Sequence, residues 1–312
     1  MRYCFSPLLC AGLVFAQSAA TLYTTDVNGH RVAEAQFASR DGDRAELNQS
    51  INGRTVPLER TETKVLADEP NRRVTETIVR KYDATGQLGS TERTVLEEQK
   101  RAGGSTIRAT VYRSDANGRL EESERRVIDT QTQGAVTTAN VTIARAGLSG
   151  SFETAEKRKV VTAVEGATTR ETEIVERPAQ GNLQFVEVAR QIKESTKSGD
   201  KTASTTTHYE PDYTGKMAVI RQETATTIKN SDGAQVTQLN LYAASAYGIA
   251  RDEQGGQKLR EQQVIVRKES GGVVTETTTV RRPTLADPNR LGDPTEISTL
   301  ACTGKCDGPL RP

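Results

Sequence analysis

Apolar and polar residues alternate with a period of two along much of this chain. In residues 106–113, TIRATVYR, Ile107, Ala109 and Val111 share one face, and Arg108, Thr110 and Tyr112 share the other. Ala139, Val141 and Ile143 alternate with Thr138, Asn140 and Thr142, and residues 235–242, QVTQLNLY, place Leu239 and Leu241 on one face. A period of two with abundant Thr and Val predicts half-buried β-strands. Residues 95–101, VLEEQKR, have helical propensity, but they occupy the place that TV-rich segments hold elsewhere, so a strand is expected there too.

The strands recur. Gly53, Gly86, Gly118, Gly150, Gly181, Gly215 and Gly248 are separated by 31 to 34 residues. Two places on, most units carry a large apolar residue (Leu88, Leu120, Phe152, Leu183, Met217). Six places on stand Glu59, Glu92, Glu124, Glu156 and Glu187. A second turn falls midway, at Gly103-Gly104, Gly134, Gly166, Gly199 and Asp232-Gly233. The fold class expected is all-β: a repetitive antiparallel β-meander of about 32-residue two-strand repeats, extended, curled or spiral.

The turn chemistry agrees. Asn52-Gly53 and Asn117-Gly118 suit two-residue type I′ hairpins, which need positive φ at both central residues. Asp83-Ala84-Thr85-Gly86 suits a type I turn closed by a glycine in the left-handed region. The segments Tyr82-Asp83-Ala84-Thr85-Gly86-Gln87-Leu88 and Asp115-Ala116-Asn117-Gly118-Arg119-Leu120 resemble the turn of YD repeats in bacterial Rhs-type proteins. The resemblance covers the turns alone. It implies hairpin geometry, a sheet that spirals into a shell and a bacterial surface context, and it implies no activity. The Tyr four places before the glycine is replaced in other units by Ser114, Ala146, Arg177 and Pro211.

Composition limits the core. The apolar share is 34%, aromatics make up 4%, and there is no Trp. Such a chain has too little apolar volume for a large globular interior, whereas a single sheet needs less. A formal net charge of +1 provides no global field for nucleic acid or anionic lipid.

Residues 1–20 read as a signal peptide. Arg2 precedes a short apolar run through Leu8, Leu9, Leu13, Val14 and Phe15, and Ser18-Ala19-Ala20 offers small residues for cleavage. Cleavage is expected after Ala20, with Ser18 as the alternative. Lipidation at Cys10 is disfavoured by the bulky Pro7-Leu8-Leu9 before it. The mature chain then keeps Cys302 and Cys306, expected to form a small disulfide loop in an oxidising compartment. The expected domains are the signal peptide, a β-hairpin repeat domain over 21–285, and a C-terminal tail over 286–312.

No catalytic motif stands out. His30 and His208 are isolated, and no nucleophile elbow, phosphate loop or HExxH occurs. No cofactor or metal is expected. The acidic turn at Asp115 with Glu121 and Glu122 is too sparse in oxygen ligands for a Ca²⁺ loop. The insertion over 249–256 is the most loop-like place for a specific role. The Glu column is expected to form a surface stripe, either offered to a cation or partner or paired with cross-strand Arg113 and Arg145. Tyr82, Tyr112, Tyr209 and Tyr242 lie near turns, as caps on strand ends or as sugar-stacking surfaces.

An outer-membrane barrel is disfavoured at this level. In residues 88–101 one face carries Glu92 and Glu98 and the other Arg93 and Glu97, aromatic girdles are absent, and the chain ends in Leu310-Arg311-Pro312. The sequence thus reads as a secreted structural or interaction protein, periplasmic, at the cell surface or extracellular. It would present an extended β-sheet surface to an envelope protein or a glycan, without catalysis. A carbohydrate- or ligand-binding surface module is the alternative, with an enzyme or a barrel ranked below. No nucleic acid and no membrane span in the mature chain are expected.

Overall fold

The computed structural model describes residues 19–25, 31–51, 54–147, 150–179, 184–243, 257–284 and 290–303. Every regular element among them is a β-strand. The first six are β1 (Ala19–Thr25), β2 (Arg31–Asp41), β3 (Arg44–Ile51), β4 (Arg54–Glu69), β5 (Arg72–Tyr82) and β6 (Leu88–Arg101). Next come β7 (Gly104–Ser114), β8 (Leu120–Gln133), β9 (Val136–Ala146), β10 (Phe152–Glu165), β11 (Thr168–Pro178) and β12 (Phe185–Ser198). The last are β13 (Lys201–Pro211), β14 (Met217–Lys229), β15 (Gln235–Ala243), β16 (Lys258–Ser270), β17 (Val273–Arg281) and β18 (Thr295–Thr303).

Each strand pairs antiparallel with its neighbours in sequence, and β1 pairs with both β2 and β18. At the seam Thr21 stands opposite Ala301 and Tyr23 opposite Thr299. The 18 strands therefore form a closed ring rather than an open, curled or spiral sheet. Residues 295–303, expected in a tail, form the closing strand, so the boundary at 285 does not separate wall from tail. Ala19 and Ala20, at the expected cleavage site, begin β1.

The two rims differ. One rim is made mostly of two-residue turns such as Ala102-Gly103, Gly134-Ala135 and Gly166-Ala167. The other carries wider turns. At each of three, an aspartate begins the turn and a glycine with φ near 80° ends it: Asp83–Gly86, Asp115–Gly118 and Asp212–Gly215. Asn117-Gly118 is thus part of a wide turn and not a two-residue hairpin, because Asp115 N–H bonds the Arg119 carbonyl at 2.9 Å. In the first wide turn the Thr85 hydroxyl donates to Asp83 Oδ1 at 2.7 Å, and the Thr85 and Gln87 amides donate to it at 2.8 and 2.9 Å.

One irregularity recurs. Near the wide-turn rim the register skips a residue on each even-numbered strand from β4 to β16: Leu58, Gly89, Ser123, Ala155, Val188, Ile220 and Arg260. Such bulges increase local twist and bend the strand, as a closing sheet requires.

The ladder also staggers. Successive partners from Gly104 run through Gln131, Thr138, Val161, Thr172, Ile192, Thr207, Gln222 and Tyr242 to Leu259. The line begins at the two-residue-turn rim and ends at the wide-turn rim. Right-handed coiling of L-residue strands makes this direction of stagger place the face of Ile128 inside the ring. Burial agrees. Ala109, Val111, Ile128, Ala139, Val141, Ile143 and Val160 lie on that face, and each is 8% exposed or less. Val127, on the opposite face, is 39% exposed. The interior cluster of Ile128, Ala139, Val141, Ile143 and Val160 is built from neighbouring strands of a single layer.

Two measurements check this architecture. Registered residues on paired strands sit about 4.5–5.5 Å apart at Cα. Thr21→Cys with Ala301→Cys is therefore expected to cross-link within one chain through a short bifunctional thiol reagent, whereas an open sheet would keep the two ends apart. The second concerns Asp83, whose carboxyl is held below its usual range first by the Thr85 hydroxyl and then by backbone amides. A lowered folded-state pKa stabilises the turn above the ordinary Asp pKa, and that stabilisation is lost as pH falls through the lowered value. NMR titration is expected to show Asp83 below the usual Asp range and shifted upward in Thr85→Ala.

Candidate functional site

The ring encloses a face on which small apolar side chains alternate with charge. Glu124 and Glu156 are each 3% exposed. Each sits just past a bulge, opposite a basic residue of the neighbouring strand. Arg145 donates to Glu124 at 3.0 Å, and Arg177 donates to Glu156 at 2.9 Å. Each carboxylate also holds the arginine two places further along its own strand, Arg126 for Glu124 and Arg158 for Glu156. Arg158 continues to Glu173 at 3.2 Å, joining β10 to β11. Arg113–Glu92 at 2.9 Å repeats the pattern on one side, and Arg282–Glu261 at 2.6 Å repeats it further round the ring. Glu59 stands opposite Lys81 in the same register.

These pairs determine how the interior face is packed. Arg126 is registered between Ala109 and Ile143, and Arg158 between Val141 and Val175. Long aliphatic stems over short side chains cover the apolar atoms while their guanidinium groups reach the carboxylates. Further round, His208 lies 3.6 Å from Glu223, which also holds Arg221. The face thus carries several separate clusters of opposite charges, in which Arg145 and Arg177 are each 58% exposed at the side chain.

The expected stripe is therefore split. Glu59, Glu92, Glu124 and Glu156 share the interior face. Glu187 does not, because it precedes its bulge, at Val188, and so lies on the outer face, bonded to Arg190 at 2.8 and 2.9 Å. The pairing of the column with Arg113 and Arg145 is present, but on a wall interior rather than on an open surface. The basic partner 21 places after Glu92, Glu124, Glu156 and Glu261 is a spacing that the sequence carried and that the glutamate column alone did not use.

The outer face is more polar at mid-height, with Glu97, Arg108, Asp129 and Lys159 on β6 to β10. Ion pairs run along this face, as in Arg93–Glu76 at 2.6 Å and Arg72–Glu97 at 2.6 Å. Toward the wide-turn rim the same face carries Tyr82, Tyr112, Phe152, Phe185, Tyr209 and Tyr242, one each on β5, β7, β10, β12, β13 and β15. The sequence reading found no aromatic girdle because these residues stand on either side of the turns. The wall gathers them at one height.

His30, the 249–256 insertion and Cys306 lie outside the described residues. Cys302 belongs to β18, opposite Ala20 and Val274. Among the described residues no group of three His, Cys, Asp or Glu side chains is placed to hold a metal, and no helix is long and apolar enough to cross a membrane.

No protein-family model and no curated protein matches this chain. Solved structures do. OccK10 (OpdN) of Pseudomonas aeruginosa superposes with a TM-score of 0.51 at 9% identity, over 91% of this chain and 96% of that one. OmpT of Vibrio cholerae, an outer membrane protein in its trimer form, gives 0.48 at 8% identity over 91% and 96%. OmpF of Salmonella typhi, in complex with Daunomycin, gives 0.48 at 8% identity over 91% and 94%. At such identities the likeness is one of fold, and the OccK10 match carries it. The expectation of a structural or interaction protein that presents an extended β-sheet surface, with an enzyme or an outer-membrane barrel as less likely readings, is corrected by this likeness and by the β1–β18 seam. The disulfide expected between Cys302 and Cys306 falls on Cys306, outside the described residues.

The interior pairs make a graded stability prediction. Removing one partner of a buried ion pair leaves a buried charge uncompensated, at a cost of about 3–5 kcal/mol. Exposed pairs contribute about 0–1 kcal/mol. Arg126→Ala, which takes a partner from the buried carboxylate of Glu124, is expected to lower unfolding stability by about 3 kcal/mol, and Glu92→Ala, whose side chain is 43% exposed, by under about 1 kcal/mol. Equal losses in denaturant titrations would contradict the interior placement of Glu124.

Proposed function

We propose that this chain is an outer-membrane-type β-barrel of a bacterial envelope, whose closed wall surrounds a passage for polar solutes. The observation that carries the reading is the β1–β18 seam, which turns an 18-stranded sheet into a tube. Rings of sixteen to eighteen strands leave room for an aqueous channel. Most strands from β4 to β14 have 11 to 14 residues, enough for the 9–11 that a tilted transmembrane strand needs. An export signal at residues 1–20 delivers such a chain to the envelope. The wall unit is the two-strand repeat of about 32 residues, and the role assigned is passage rather than catalysis. The ion-paired interior gives a polar solute clusters of both charges along the wall.

A second reading has its own observation. Glu97, Arg108, Asp129 and Lys159 on the outer mid-wall favour a tube that stands in water and holds its cargo inside. Against lipid, a basic residue at the midplane costs about 2–4 kcal/mol.

Conductance separates the two. The refolded mature chain, added to a planar bilayer, is expected to give stepwise ionic conductance and to require detergent for solubility. A chain that stays monodisperse without detergent and conducts nothing would overturn the channel in favour of the water-filled carrier.

A further inference from the structure

The outer face near the wide-turn rim bears more than aromatic rings. Arg60 lies over Tyr82 with 5.5 Å to the ring centroid, and Arg93 lies over Tyr112 at 5.2 Å. Arg125 lies over Phe152 at 4.1 Å, and the Lys157 ammonium over Phe185 at 4.2 Å. Arg190 is registered directly opposite Tyr209. Arg125 and Phe152 are two strands apart. Between them on the outer face stand Ala144 and Ala146, whose short side chains leave the space that the arginine crosses. Ring and cation therefore recur together from β4 to β13.

A second observation marks the same rim. Tyr213, in the wide turn after β13, is 98% exposed, and Leu88 and Val219, beside Tyr82 and Tyr209 in the ladder, are 56% and 42% exposed. The two-residue-turn rim carries no aromatic side chain among the residues whose exposure is described. One end of the tube thus has an amphipathic belt of rings with cations stacked on them; exposed large apolar side chains occur at both rims, Val136 and Ile228 at the other among them, so the rings and their cations are what set this end apart.

We propose that this belt seats the wide-turn rim in the headgroup layer of a bilayer that contains anionic, phosphate-bearing lipid. Tyr and Phe at a lipid–water boundary bury their ring bodies toward the acyl chains. Arg and Lys beside them meet phosphate, and each basic residue near an anionic surface adds to the attraction. The seating rests on the envelope reading in that it needs a bilayer, but it does not need the wall to cross one. It also gives the tube a direction, with the two-residue-turn rim facing away from that layer.

The chain has no Trp, so a single introduced indole reports one depth. Phe152→Trp places it in the belt, and Val127→Trp places it on the outer mid-wall. Each variant, as the full mature chain, is mixed with vesicles of zwitterionic lipid or of zwitterionic lipid containing phosphatidylglycerol, with quenchers carried at headgroup depth or mid-chain. The Phe152→Trp signal is expected to be quenched by the headgroup-depth probe, with vesicle affinity at least about ten-fold higher when the anionic lipid is present. Replacing Arg93, Arg125 and Lys157 together by Gln is expected to remove most of that preference, with the strand signal in circular dichroism retained. Absence of quenching at Phe152→Trp, quenching by the mid-chain probe alone, or full displacement by inorganic phosphate at constant ionic strength would each overturn the seating. Quenching at Phe152→Trp with none at Val127→Trp upholds the seating and removes the channel. Deep quenching at Val127→Trp upholds both.

Discussion

Every strand of a sheet needs hydrogen-bonding partners on both sides, and a linear meander leaves two rows of N–H and C=O groups without them. The pairing of β1 with β18 satisfies both rows at once. The rest of the wall follows from that requirement. A sheet closes only if its strands tilt and its ladder staggers by a consistent amount. The stagger from Gly104 to Leu259 and the bulges at Ser123, Ala155 and Val188 are how this chain meets it. The bulges in turn decide which face each later side chain takes, and so place Glu124 and Glu156 inside.

The two faces of the wall differ in residue type. The interior holds small β-branched side chains packed beneath arginine stems, and the exterior holds Thr and charged residues. A one-layer wall of this kind needs little apolar volume, which is why an apolar share of 34% is enough. Cohesion is spread along the ladder: cross-strand pairs such as Thr227–Thr237 at 2.9 Å and Arg113–Glu92 at 2.9 Å contribute modestly, each about 0.2–1 kcal/mol, at many places.

Strands and turns were legible in the sequence because they depend on local signals. Val and Thr alternation located the strands, and Asp83 with Gly86 specified a turn that the structure reproduces with φ of 83° at the glycine. The likeness to YD-type turns reaches no further than those turns, since the same hairpin chemistry serves a spiral or a ring. Closure was not legible, because it joins residues 19–25 to residues 295–303, the two least repeat-like stretches of the wall. The bulged residues share no type, being Gly89, Ser123, Ala155 and Val188 among others, so nothing in the alternation marks where a strand changes face. For that reason Glu187 aligned with Glu156 in the repeat and yet lies on the other side of the wall. The aromatic belt was hidden by the same folding-back of the chain: Tyr82 and Tyr112 precede their turns, whereas Phe152 and Phe185 follow theirs.

The antiparallel seam constrains how such a wall can change size. β1 and β18 run in opposite directions, as β1 and any even-numbered last strand must. Duplicating or losing a single strand would bring two parallel strands together at the seam, with a different hydrogen-bond spacing and no matching register. Duplicating one turn-to-turn unit of two strands keeps the seam antiparallel and only widens the ring. Growth by whole hairpins therefore preserves closure, and a lineage of such proteins is expected to differ in circumference by even steps.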